Sequence, residues 1–159
     1  MSLMRWKGQF LMSDTRQINQ HYAEIGADLI QSEPRLIDIR NSEVRIVYLS
    51  SELEKIQNDK VVFAQCEKVP EKYKWAVPAD FCIVVFEPNV TNFTERQMRI
   101  LIFHELLHVG IGVGKEEMET YFVRPHDIED FRCIIDRFGM DWNAPDGLQV
   151  EFEELKINT

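Results

Sequence analysis

The stretch RILIFHELLHVGIGVG, residues 99–114, decides the reading of this chain. Just upstream, Thr94 and Gln97 have the spacing of the N-cap and N3 positions of a capping box. Ile100, Leu101, Leu107 and their neighbours make the following helix apolar almost all the way round, which is the pattern of a helix at the centre of a core. Gly110 and Gly112 are its expected C-terminal stop. Inside this apolar run stand His104, Glu105 and His108. Residues four apart lie about 40° apart around a helix, so the two imidazoles share a face and can converge on one point. Glu105 is offset by about 100° and can reach a water at that point without itself binding there. Three polar groups buried without partners would cost several kcal/mol. One cation satisfies them together.

H-E-x-x-H on a helix is a zinc signature. Zinc lowers the pKa of a bound water to about 7, and a neighbouring carboxylate can take its proton and pass it to a leaving amine. The expected metal ligands are therefore His104 and His108, with Glu105 as the catalytic base. Catalytic zinc usually takes three protein ligands and a water. The metzincin spacing would need Gly at 111 and His at 114, where this chain has Ile111 and Gly114, so that class is excluded. The third ligand is expected to be His126, at the mouth of the next helix. Glu129, one turn further, is the alternative and would make a His/His/Glu site. Asp127 or Asp130 either orients a liganding imidazole or serves as a helix-cap acid. Tyr121 and Arg124 are the candidate donors to a developing oxyanion.

Working outward, SDTRQINQHYAEIGADLIQSE reads as an amphipathic helix, with Ile18, Tyr22, Ile25 and Leu29 at helical spacing, Asp14 and Gln17 as a capping box and Pro34 as the stop. His21 reads as a partly exposed helix residue. Three strands are expected, at 44–50, 60–69 and 81–89. The last is apolar almost throughout, as a central strand buried on both faces would be. Between the first two, SSELEKIQNDK is polar and is expected to hold a helical turn. The link PEKYKWAVPAD should be an irregular surface loop, with Tyr73 and Trp75 as its anchors or, alternatively, as substrate contacts. KEEMETYFVRP reads as a turn and short strand. HDIEDFRCIIDRFG, 126–139, reads as a helix with Asp127 as N-cap and Gly139 as C-cap. If strand 60–69 borders the cleft as a sheet edge, it can hold an extended peptide by strand addition.

The length of 159 residues suits one domain with one core. The expected divisions are an N-terminal segment 1–12 whose opening MSL reads as a cloning scar, a domain 13–142 and an acidic tail 143–159. The formal net charge is −9, a surface that repels phosphate backbones, so nucleic acid is not expected as a partner. No apolar run approaches the roughly 20 residues of a membrane span, and MSLMRWKGQF lacks the apolar region of a signal peptide. Cys66, Cys82 and Cys133 are odd in number and lack C-x-x-C spacing, which fits free, buried thiols in a reducing compartment.

Taken together, HELLHVG, PHDIEDF, KVPEKYKW and DFCIVVFEPN resemble the phage metallopeptidase family, over about residues 40–142. The resemblance implies an α+β, minimal zincin-like fold, with a small mixed sheet packed on an N-terminal helix and the central H-E-x-x-H helix. It implies zinc held by His104, His108 and His126, with Glu105 as base, and a cytoplasmic setting in a bacterial host or a phage context. The function expected on this reading is zinc-dependent hydrolysis of a peptide or protein substrate. Two other readings remain open. One is a non-catalytic zinc-binding regulatory or structural protein, whose site would be closed by a fourth protein ligand. The other is a hydrolase or regulator that acts on a single partner protein.

Overall fold

The computed structural model describes residues 14–126 and 131–143, together with the backbone of an antiparallel pair, Leu3–Trp6 (β1) and Gln9–Met12 (β2). Arg16–Ile18 forms a short strand (β3), and the first helix is Gln20–Ser32 (α1). The helix therefore starts later than the spacing predicts. Asn19, not Asp14, is the N-cap, and its side chain accepts from the Tyr22 N–H at 3.0 Å. Ile18 continues the apolar period by coincidence and is 74% exposed, whereas Tyr22, Ile25 and Leu29 are buried as expected. Asp14 instead accepts from Arg16 and from the Ser51 hydroxyl. His21 stays exposed and meets Glu95 at 2.6 Å.

A short helix, Ile37–Arg40 (α2), leads to Ile46–Ser51 (β4). The polar segment after it forms a hairpin, Ile56–Gln57 (β5) and Lys60–Val61 (β6), rather than a helical turn. Asn58 and Asp59 both take positive φ, the requirement of a two-residue type I′ turn that Asn and Asp tolerate. The expected strand 60–69 is accordingly split, and its second part is Ala64–Lys68 (β7). Phe81–Phe86 (β8) is central and fully buried at five of its six positions. The sheet order is β3-β4-β8-β7, with β8 parallel to β4 and antiparallel to β7. β3 and β7 are thus its outer strands. In the loop before β8, Trp75 is 86% exposed and Tyr73 50%, so neither is an anchor.

Glu95–Leu107 (α3) carries the complete Thr94/Gln97 capping box. It packs on α1, β7 and β8, and Ile100, Ile102, Phe103 and Leu106 are fully buried. Each such side chain contributes about 1.5–3 kcal/mol by leaving water. The helix ends at Leu107 with His108 as C-cap, ahead of the glycines. Gly110 and Gly112 belong to a strand, Val109–Val113 (β9), paired antiparallel with Glu119–Val123 (β10). Gly110 faces Phe122 across that pair, and a Cβ there would come within 2.4 Å of the Phe122 ring. These glycines allow close packing rather than stopping a helix. The last helix is Arg132–Phe138 (α4), with Phe131 in extended conformation as N-cap and Gly139 as C-cap at φ 84°. His126 is outside it, and Asp127, Glu129 and Asp130 lie outside the described residues. The tail beyond residue 143 also lies outside them, whereas Trp142 is 4% exposed and its carbonyl accepts from Gln97.

Four α-helices and small sheets among the described residues make the fold α+β. No helix among them is long and apolar enough to cross a membrane.

Asp80 pins the parallel strand pair. Its buried carboxylate accepts the Arg45 N–H at 2.8 Å and meets Lys74 at 3.3 Å, while the backbone N–H groups of Asp80 and Phe81 donate to the Arg45 carbonyl. Burial on its own would raise the Asp80 pKa, but the Arg45 and Lys74 contacts outweigh it and hold the carboxyl below its ordinary value. The resulting stability is present above the unfolded pKa, near 3.9, and is lost as pH falls through the folded value. Asp80→Asn should therefore cost about 1–3 kcal/mol in urea unfolding at pH 7, and the gap to the parent should close towards pH 3. A gap of equal size at both pH values would contradict this role.

Candidate metal centre

The β9–β10 hairpin returns the chain to the end of α3. Val109 pairs with Val123, and the next residue, Arg124, donates its N–H to the His108 carbonyl at 2.7 Å. The Arg124 carbonyl in turn receives His108 Nδ1–H at 2.6 Å. This bond fixes the imidazole so that its lone pair is on Nε2. Two residues later stands His126, whose Nε2 lies 3.0 Å from Nε2 of His104. The three side chains each offer a ring nitrogen within 4.8 Å of the others. Ring centroids are 5.2 Å apart for His104–His108, 4.9 Å for His104–His126 and 4.4 Å for His108–His126.

Three imidazole nitrogens converging in this way suit a small cation. Tetrahedral ligation with bonds of about 2.0–2.1 Å places ligand nitrogens about 3.3 Å apart, close to the His104–His126 separation. Two neutral imidazoles whose Nε2 atoms face each other at 3.0 Å need either a shared proton or a common ion between them. The donor set fits a metal.

Glu105 is 4% exposed and lines the same cleft as the three histidines, a hollow of about 370 Å³. Ala64, Gln65, Cys66 and Glu67 of β7 form one wall, and Val62 and Val123 also contribute. The Cys66 thiol is pushed well above its ordinary pKa, chiefly by burial and next by the Glu105 carboxylate. It is free, and no cysteine joins the three-nitrogen group among the described residues. A larger hollow of about 730 Å³ lies beside Lys68, Glu119 and Tyr121. It contains none of these histidines, so the smaller cleft is the candidate site.

Neither expected oxyanion donor lines the cleft. The Tyr121 hydroxyl donates to Glu119 at 2.8 Å, and the Arg124 guanidinium donates to the Leu107 carbonyl at 3.2 Å. Arg124 clamps the end of α3 by main chain and side chain together. Phe131 was missed by sequence reasoning. It is 3% exposed and its ring meets those of His104, His108 and His126 at 5.4, 4.9 and 5.3 Å. A lone apolar residue ahead of a helix carries no sequence signal for such a place.

A triad of histidines at a cleft of an α+β chain is a donor set of the kind that holds a metal ion. The sequence pattern of the family described as putative phage metallopeptidase matches residues 16–155, and this chain belongs to that family. Comparison with curated proteins finds no match, and comparison with solved structures finds none. Membership implies a hydrolase that works with a metal.

Proposed function

We propose that this chain is a zinc-dependent peptidase of zincin-like architecture, with His104, His108 and His126 as ligands and Glu105 as general base. The observation that carries the reading is the convergence of three imidazole nitrogens within 4.8 Å, in a cleft that Glu105 also lines. Zinc there would lower the pKa of a coordinated water to about 7 and polarise a carbonyl. The chain's own groups do the rest. The Arg124 carbonyl holds His108 in the tautomer that presents Nε2. Glu105 takes a proton from water in the cleft and delivers it to the leaving amine. Burial between α3 and β7 limits the Glu105 carboxylate to that narrow space.

The substrate is an extended stretch of polypeptide. β7 is an outer strand of the sheet and walls the cleft, which supports strand addition along it, with alternate side chains directed into the cleft and out of it. We place the activity in the cytoplasm of a bacterial host, on a peptide or protein rather than nucleic acid, in keeping with the net charge of −9.

A structural zinc site would gather a fourth protein ligand. The three imidazoles share their cleft with the Glu105 carboxylate, a placement that favours the catalytic reading. The test is hydrolysis of an unstructured polypeptide by the zinc-loaded chain, abolished by chelation and restored by zinc. Zinc fully bound through four protein ligands, with no hydrolysis, would move the chain to the non-catalytic class.

A further inference from the structure

His126 is the member of the triad that α3 does not carry. His104 and His108 are fixed by α3 and its C-cap, whereas His126 is exposed and lies outside any helix or strand. It is held on one side by Arg124, through the bonds between Arg124 and His108. On the other side stands Phe131, in ring contact with all three imidazoles. Phe131 is the N-cap of α4, a helix of seven residues, too short to persist by itself. What docks α4 therefore bears on the metal site.

Apolar burial of Ile134 and Phe138 docks α4, and its orientation is set by an ion pair between Arg137, on the last turn of α4, and Glu33, the C-cap of α1. The Glu33 side chain is 0% exposed and that of Arg137 10%. Glu33 is itself fixed, since its carbonyl accepts from Arg40 and its N–H donates to Leu29. The Arg137 guanidinium also lies 5.8 Å from the centroid of Phe103 and 5.1 Å from that of Phe138. Phe103 directly precedes His104 on α3. One side chain thus joins α1, α3 and α4, with Ile134 and Phe138 of α4 fully buried beside it. In a dry setting an Arg–carboxylate pair has a strongly preferred geometry, which makes it a positional device even where it adds little net stability.

We propose that Glu33 and Arg137 are positioning residues for the metal site: by orienting α4 they hold Phe131 against the imidazoles and so keep His126 in ligating position. The inference rests on zinc binding by the three histidines. It implies that zinc affinity is governed from the far end of α1, although neither residue of the pair lines the cleft.

The experiment measures zinc affinity by competition with a chromophoric chelator, in Arg137→Met and Phe131→Leu, each made with His126 intact and with His126→Ala. Circular dichroism reports the fold, and the paired variant Glu33→Gln/Arg137→Met, which leaves no buried charge unpaired, takes the place of Arg137→Met should the single variant fail to fold. Each substitution should weaken zinc binding roughly 10–100-fold when His126 is present, the usual effect of losing a ligand's supporting partner. In the His126→Ala background each should change it by less than about 3-fold, because the ligand being positioned is gone. Equal losses in both backgrounds, or no loss with His126 intact, would overturn the proposal. A parent chain that binds no zinc would instead fail the metal reading, and with it this inference.

Discussion

Glu105→Gln should leave zinc bound and lower peptide hydrolysis by roughly 10²–10⁴-fold, the contribution of a general base. The substitution keeps the length and most of the hydrogen bonding of the side chain and removes only its capacity to take a proton. Glu105 is 4% exposed beside Cys66 and the histidines, and Gln, isosteric with Glu, fits the same place. The loss should fall on kcat and kcat/KM alike, since the proton moves only in the transition state. A packing role predicts a different pattern: lower stability in urea, with unchanged hydrolysis per folded molecule. Zinc content measured on the same preparation separates loss of the base from loss of the metal.

His126→Ala should weaken zinc binding by more than about 100-fold, above the 10–100-fold cost of losing an outer partner of a ligand. Glu129→Ala should leave it nearly unchanged. His126 Nε2 lies 3.0 Å from His104 Nε2 and belongs to the converging group, which motivates this ranking. Chelator competition on the two variants decides between a three-imidazole site and a His/His/Glu site. The reverse ranking would select the latter.

The parts of the fold legible in the sequence were those where several local signals agreed. α3 combined a capping box with a long apolar run, and β8 was an unbroken apolar strand. Readings failed where one signal served two structures. Ile18 extends a helical period yet lies in β3, because the Asn19 cap starts α1 after it. Gly110 and Gly112 are residues that end helices, but VGIGV also alternates, and in the structure they give room to Phe122 and Thr120 across a hairpin. The hairpin at Asn58 and Asp59 depended on two positive φ values in a polar stretch that also suits a turn of helix.

For the site, the sequence places His104, Glu105 and His108 by helical geometry alone. His126 reaches them only through the register of β9 with β10, which brings Arg124 beside His108. Phe131 and the Glu33–Arg137 pair are brought in by tertiary packing between residues far apart in the chain, and nothing local marks them.

The most direct test of the metal centre is the zinc content of the chain purified without added metal. About one zinc per chain is expected, falling to near zero in His104→Ala and in His108→Ala while circular dichroism shows both still folded. Full zinc retained in both variants would contradict a centre built on these histidines.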